Sequence, residues 1–208
     1  MVFLKRFPLQ SGLEFTVTMT FNLQPQHLKN QLIQLFPLQE DDFEALYTVA
    51  SDPLVWEQHP NKLRYQREVF QNFFEGAIQS QGAFLIRDVQ TNEVVGSSRF
   101  YDFDENDNSI LIGYTFIGRK FWGKEYNASL KKIMLDYAFQ HIDKVYFHIG
   151  AHNYRSQKAI EKIGAIKVGE QEVEYYGEEA KMNYIYQIKN QTLKTLPEFQ
   201  TLEGFLNK

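Results

Sequence analysis

Cysteine is absent from this chain of 208 residues. That removes disulfides, thiolate zinc sites, iron–sulfur clusters and cysteine nucleophiles together. A cysteine-free chain suits a cytoplasmic location without requiring it. Excess positive charge is absent too: 22 Lys+Arg stand against 26 Asp+Glu, a net charge of -4. Binding nucleic acid by neutralising phosphates is therefore disfavoured. No run approaches the roughly 20 apolar residues that span a bilayer, so no membrane partner is expected. The opening MVFLKRFPLQSGLEFTVTMTF starts apolar but meets Lys5, Arg6, Pro8 and Glu14 early. It lacks the order and cleavage site of a signal peptide. The five histidines show no ligand spacing, and no metal is expected.

What is present suits a folded domain. Hydrophobic residues make up 43% and charged residues 23%, and the length is that of one domain with short appendages. The aromatic share is 15%, with 18 Phe and 12 Tyr against 2 Trp. Such side chains suit sheet faces, cores and ligand grooves.

Residues 1–31 have no clear period, except that Glu14 to Leu23 alternates like a strand; they read as an N-terminal extension. The main domain runs over 32–189, and 190–208 is a C-terminal tail, a helix or a strap. Leu32 to Pro37 reads as a short strand. Glu40, Asp41 and Asp42 favour a helix start, and Phe43, Leu46, Tyr47 and Ala50 keep helical spacing. A loop from Leu54 to Arg64 leads to a second helix with Phe70, Phe73, Phe74 and Ala77 on one face. Ala83 to Asp88 and Val94 to Phe103 read as a hairpin, and Ser109 to Phe116 as the next strand. A helix follows from Tyr126 to about Phe139, then a strand Val145 to Ile149. A short helix Asn153 to Ile163 stops at Gly164, and strands near Ile166 to Glu174 and Met182 to Ile188 close the pattern. The order predicts a mixed α/β (α+β) domain with one sheet and helices on its faces.

Chemistry concentrates in Ile112 to Asn127, IGYTFIGRKFWGKEYN. An apolar strand runs through a loop with Gly118, Arg119, Lys120 and Gly123 straight into a helix. Unpaired N–H groups and the helix dipole make such a loop an anion site. Gly123 allows close approach of a phosphate. A plain basic surface loop satisfies the same spacing. Neither a Walker loop nor a GxGxxG fingerprint is present.

This stretch resembles the GNAT superfamily of acetyl-CoA-dependent N-acetyltransferases, closest to the ribosomal-protein N-terminal (Rim-type) branch. The carrying residues are Lys120-Phe121-Trp122-Gly123-Lys124-Glu125, against [QR]xxGx[GA], and Asn153 to Gly164, NYRSQKAIEKIG, against NxxSxxxxEKxG. The element order agrees. The resemblance implies a mostly antiparallel sheet splayed into a V, with acetyl-CoA in the V and no metal. Its pantetheine arm would pair with the backbone of Tyr114, Thr115 and Phe116. Its pyrophosphate would sit on N–H groups from Phe121 to Tyr126, with Lys120 and Asn127 adjoining. Asn153 and Ser156 would lie near the thiol, although an N-cap at Asn153 fits the same residues. Three departures stand out: Lys120 where Arg or Gln is usual, Glu125 where Gly or Ala is usual, and Ile160 where many members carry a tyrosine acid.

Acetyl transfer to an amine needs a deprotonated nitrogen, a donor for the oxyanion and a proton for the thiolate. A backbone N–H of Tyr114–Phe116 is the expected oxyanion donor. Glu57 and His59, in the Leu54–Pro60 loop beside Trp56, are the candidate bases, with His148 as a further one facing either core or cleft. All are equally consistent with structural roles. The acceptor is left open among a protein N-terminus, an amino acid, a polyamine and an aminoglycoside, and a homodimer is compatible. The competing reading is a non-catalytic acyl-CoA sensor or protein-interaction module.

Overall fold

Alternating runs become strands and 3.6-period runs become helices in the computed structural model, which describes residues 3–7, 15–19 and 21–190. Phe3–Phe7 (β1) and Phe15–Met19 (β2) pair antiparallel as a separate two-stranded sheet. The main sheet uses Ile33–Pro37 (β3), Ala83–Asp88 (β4), Val94–Asp104 (β5), Ser109–Ile117 (β6), Lys144–Gly150 (β7), Ile166–Val173 (β8) and Lys181–Lys189 (β9). The helices are Phe43–Ala50 (α1), Arg67–Gln79 (α2), Tyr126–Ala138 (α3) and Tyr154–Glu161 (α4). The expected β5 is extended by one residue, to Asp104, and the expected strand over Glu14 to Leu23 shrinks to β2 in its centre. The strand β1 went unread, because Pro8 and the adjacent charges mask its alternation. The tail 191–208 lies outside the described residues.

Strand order in the main sheet is β3-β4-β5-β6-β7-β9-β8, antiparallel except for β6 and β7. That parallel pair is joined only at Ser109, Ile110 and Leu111 opposite Lys144, Val145 and Tyr146. Past Leu111 both strands continue unpaired with each other, β6 to Ile117 and β7 to Gly150, so the sheet forks.

A bulge lies on the β6 side of the fork. Opposite β5, Ser97 faces Phe116 while Arg99 faces Gly113, so β6 carries one residue more than its partner. Tyr114 takes φ 52 there, the left-handed region a tyrosine seldom adopts. Gly96 is needed nearby, since a Cβ on it would meet the Phe116 carbonyl oxygen at 2.0 Å.

Two apolar layers hold the sheet. Ile110, Ile112, Val145 and Phe147 pack with Leu130, Met134 and Ile160 of α3 and α4. On the other face Leu85 and Phe116 pack with Leu46, Phe70, Phe74 and Trp56 from α1, α2 and their connection. Each fully buried side chain of this size contributes about 1.5–3 kcal/mol. Ahead of β3, Phe21 stacks on Phe103 and edges Phe100, and Asn22 accepts a hydrogen bond from Tyr137 Oη at 2.8 Å, so this stretch is anchored on α3.

Candidate active site

The fork opens into a cleft of about 740 Å³. Ile112 to Ile117 form one wall and Phe147 to Gly150 the other. The loop after β6 and the start of α3 close one end through Phe121, Trp122, Gly123, Lys124, Asn127 and Ala128. The α1–α2 connection closes the opposite end through Val55, Trp56, Gln58, His59, Pro60 and Arg64. Pro60 fixes that loop: a Cβ on Gly150 would lie 2.4 Å from its Cγ, so the loop seats on a glycine at the tip of β7.

The row of free N–H groups is shifted two residues along from the expected Phe121–Tyr126. Phe121 and Trp122 use their N–H groups in a turn, donating to Gly118 and Arg119 carbonyls at 2.9 and 3.0 Å. From Gly123 to Ala128 no backbone N–H bonds another described residue, so these are the available donors at the N-terminus of α3. Gly123 has φ 70, and a Cβ on it would meet nothing within 4 Å; the glycine is required by conformation, and the space beside it is open.

Of the residues expected around the cofactor, Tyr114, Thr115, Phe116, Phe121, Trp122, Gly123, Lys124, Asn127, Asn153 and Ser156 all line the cleft. Three side chains are placed elsewhere. Lys120 pairs with Glu93 beside the β4–β5 turn. Glu125 is exposed and outside the lining, so its carboxylate does not plug the cradle. Tyr126 donates from Oη to Asp88 at 2.6 Å, which pushes its phenol up to about 12. Any part these three play at the cradle belongs to their main chain.

Asn153 caps α4, its Oδ1 accepting from Ser156 N–H at 3.2 Å. Its side-chain amide and the Ser156 hydroxyl stand on the wall between β7 and α4. Glu57 is exposed, outside the lining, and meets Arg155 Nη2 at 3.3 Å. His59 lines the cleft, but its Nε2 accepts from Arg64 Nη1 at 3.1 Å. Its Nδ1 is held by the Asn61 backbone, 3.0 Å from the N–H and 3.1 Å from the carbonyl oxygen, so both ring nitrogens are engaged. Burial, then the neighbouring Arg64 charge, hold its pKa well below the usual value. Arg64 in turn donates to Glu178 from the β8–β9 connection at 2.7 Å and lies over the Phe73 ring at 4.5 Å. His148 lines the cleft opposite in facing to Phe147; its Nδ1 is buried without a partner, and burial lowers its pKa.

Sequence reasoning missed the cations. Arg155, Lys158 and Lys162 line the cleft from α4. Their i, i+3, i+7 spacing was a readable stripe. The Arg155 guanidinium lies 4.0 Å from the Trp122 ring centroid, bridging the two ends of the cleft. Lys131 of α3 lines the floor and is almost wholly buried. No local signal marks it, because lysine in an amphipathic helix reads as surface. No Asp or Glu lines the cleft among the described residues, and the carboxylates nearest its cations, Glu178 on Arg64 and Glu57 on Arg155, stand outside the lining. No group of His, Asp or Glu there could hold a metal ion, and no described helix is long and apolar enough to cross a membrane.

A family model described as acetyltransferase (GNAT) domain matches residues 33–166. The chain belongs to that family and is an acetyltransferase. Among solved structures, it is similar to the spermidine N-acetyltransferase from Vibrio cholerae in complex with CoA and spermine. The identity is 16%, the match covers 80% of this chain and 100% of that one, and the TM-score is 0.60. RimJ from Mycobacterium smegmatis, in complex with CoA-disulfide, matches at 16% identity over 84% of this chain and 90% of that one, TM-score 0.63. A protein assigned as a ribosomal-protein-serine acetyltransferase from Vibrio cholerae matches at 17% identity over 78% and 96%, TM-score 0.62.

Proposed function

We propose that this chain moves an acetyl group from acetyl-CoA to a primary amine by direct attack within a ternary complex. The single observation carrying this is the free N–H row from Gly123 to Ala128, opening into a cleft lined by cations and no carboxylates. Such a field suits the polyanionic CoA donor. The pyrophosphate rests on the N–H row. The pantetheine arm follows the bulged β6 edge, where main-chain N–H groups beside Tyr114 serve the oxyanion. Asn153 and Ser156 hydrogen-bond near the thiol. Thioesters are reactive, so positioning supplies much of the rate.

The acceptor enters past Trp56, His59, Tyr114 and Tyr175. This end has no lining carboxylate, and the nearby Glu178 is already paired with Arg64, so it offers a polyamine no free anion. It favours an amine without further positive charge: a protein N-terminus or an amino acid. His148 is the proposed proton acceptor, since the Nε2 lone pair of His59 is engaged by Arg64 and Glu57 lies outside the lining.

Calorimetry should detect acetyl-CoA binding. Thiol release should rise with peptides bearing a free N-terminus more than with spermidine. Neither binding nor release with any amine would sink the proposal; binding without release would favour the sensor reading. Gly123→Asp sets a carboxylate among the donor N–H groups and should weaken acetyl-CoA binding at least tenfold, about 1.4 kcal/mol.

A further inference from the structure

Lys131 is the one cation built into the floor of the fork. Its side chain is 4% exposed. Nζ donates to Thr115 Oγ1 of β6 at 2.7 Å and lies 5.6 Å from the Phe147 ring centroid of β7. It therefore bridges the two strands inside the fork, beyond the end of their ladder. Thr115 Oγ1 also shares a hydrogen bond of 2.8 Å with Ser98 of β5. Thr115 is the only hydrogen-bond partner of Lys131 among the described residues, so two of the three ammonium N–H groups lack one. The charged and titratable groups sharing the cleft are Lys124, Arg155, Lys158 and Lys162 at its rim, and His59, His148, Tyr114, Tyr175 and Arg64, whose partner Glu178 lies outside the lining. None supplies negative charge.

An unpaired ammonium in such a place is costly, and structural lysines are seldom buried without a carboxylate. Burial alone lowers its pKa to about 7. A group of that strength exchanges protons readily at neutral pH. The residue that many resembling proteins use as the acid is Ile160 in this chain, which has no proton to give.

We propose that Lys131 is the proton donor to the sulfur of departing CoA. The inference rests on the acetyl-CoA reading above. The thioester reaches the fork from the α3 end, on the side of the sheet that carries Lys131. The amine comes from the opposite end, past the α1–α2 connection. Lys131 therefore meets the leaving atom rather than the nucleophile. As the nitrogen bonds to the carbonyl carbon, the carbon–sulfur bond breaks and sulfur takes a proton from Nζ. The acceptor nitrogen loses one proton to His148, which passes it to solvent, and Nζ regains one from solvent, so the cycle balances.

The test needs no acceptor. CoA is bound to the full-length protein, and its thiolate absorbance in the ultraviolet is followed against pH. The two groups titrate as a pair: a thiolate beside Nζ holds the ammonium charged to higher pH, so in the wild type the bound thiol should ionise at least one pH unit below that in Lys131→Met. Lys131→Arg, which keeps a charge that does not titrate, should retain most of the shift. Equal titration in wild type and Lys131→Met would overturn the proposal. Should that variant fail to fold, the wild type still decides: a bound thiol ionising at or above the pH of free CoA overturns it. Failure of the wild type to bind CoA would instead remove the acetyl-CoA reading itself.

Discussion

Lys131 also shapes stability. An unfolded lysine titrates near pH 10.4. The folded one, through burial, titrates at about 7. Between those values the unfolded chain holds more protons, so stability rises with pH across this window. The penalty is complete below about pH 7 and absent above about 10.4. Lys131→Met should therefore melt above the wild type at pH 6, by an amount on the order of a few kcal/mol. The gap should close toward pH 10 in scanning calorimetry. A gap independent of pH would mean that the folded amine titrates like the unfolded one, its charge met by a counter-ion. A single buried charge at this site thus trades stability for a group that gives up its proton near neutrality.

At the scale of elements, the cleft depends on strands that stop pairing. The β6–β7 ladder ends at Leu111 and Tyr146, and the bulge at Tyr114 turns the β6 edge. The far end depends on Gly150 receiving Pro60. Gly150→Ala should displace the α1–α2 connection, costing about 1–3 kcal/mol by overpacking. Because the proposed pyrophosphate cradle lies at the other end, KM for the amine should rise while acetyl-CoA affinity stays within twofold or so. Loss of both together would show the two ends to be mechanically coupled. Arg155 is the residue that spans them. Arg155→Ala removes the Trp122 stack and the Glu57 contact. It should weaken acetyl-CoA binding by about tenfold, or 1.4 kcal/mol, in calorimetry.

For the whole molecule, the distribution of charge matters more than its sum. A net charge of -4 coexists with a cleft whose described lining has no acid. The acids gather elsewhere, as in the Asp102–Asp107 turn, which borders a separate groove on the far side of Tyr146 and His148. Acetyl-CoA affinity should therefore fall steeply with added salt, as in sites that neutralise phosphates. An affinity flat between low and high ionic strength, read by the same calorimetry, would show that the cations do not face the phosphates.

The sequence by itself determined the elements and the glycine-bearing loop ahead of α3. Hydrophobic spacing is local, and so are caps: Asn153 reads as an N-cap from its neighbours alone, and Gly123 as a hinge from the strand and helix around it. Paired motifs then named the family before any coordinates. Tertiary structure decided which side chains share the cleft. Lys120 and Tyr126, adjacent to the cradle in sequence, turn to Glu93 and Asp88 across the β4–β5 turn. Glu57 and His59, two apart, part company because one meets Arg155 at the surface and the other accepts from Arg64. Lys131 looked like surface and lies beneath the fork. Burial and partnership are set by chain segments far apart in sequence, and a periodic pattern carries no record of which segments those are.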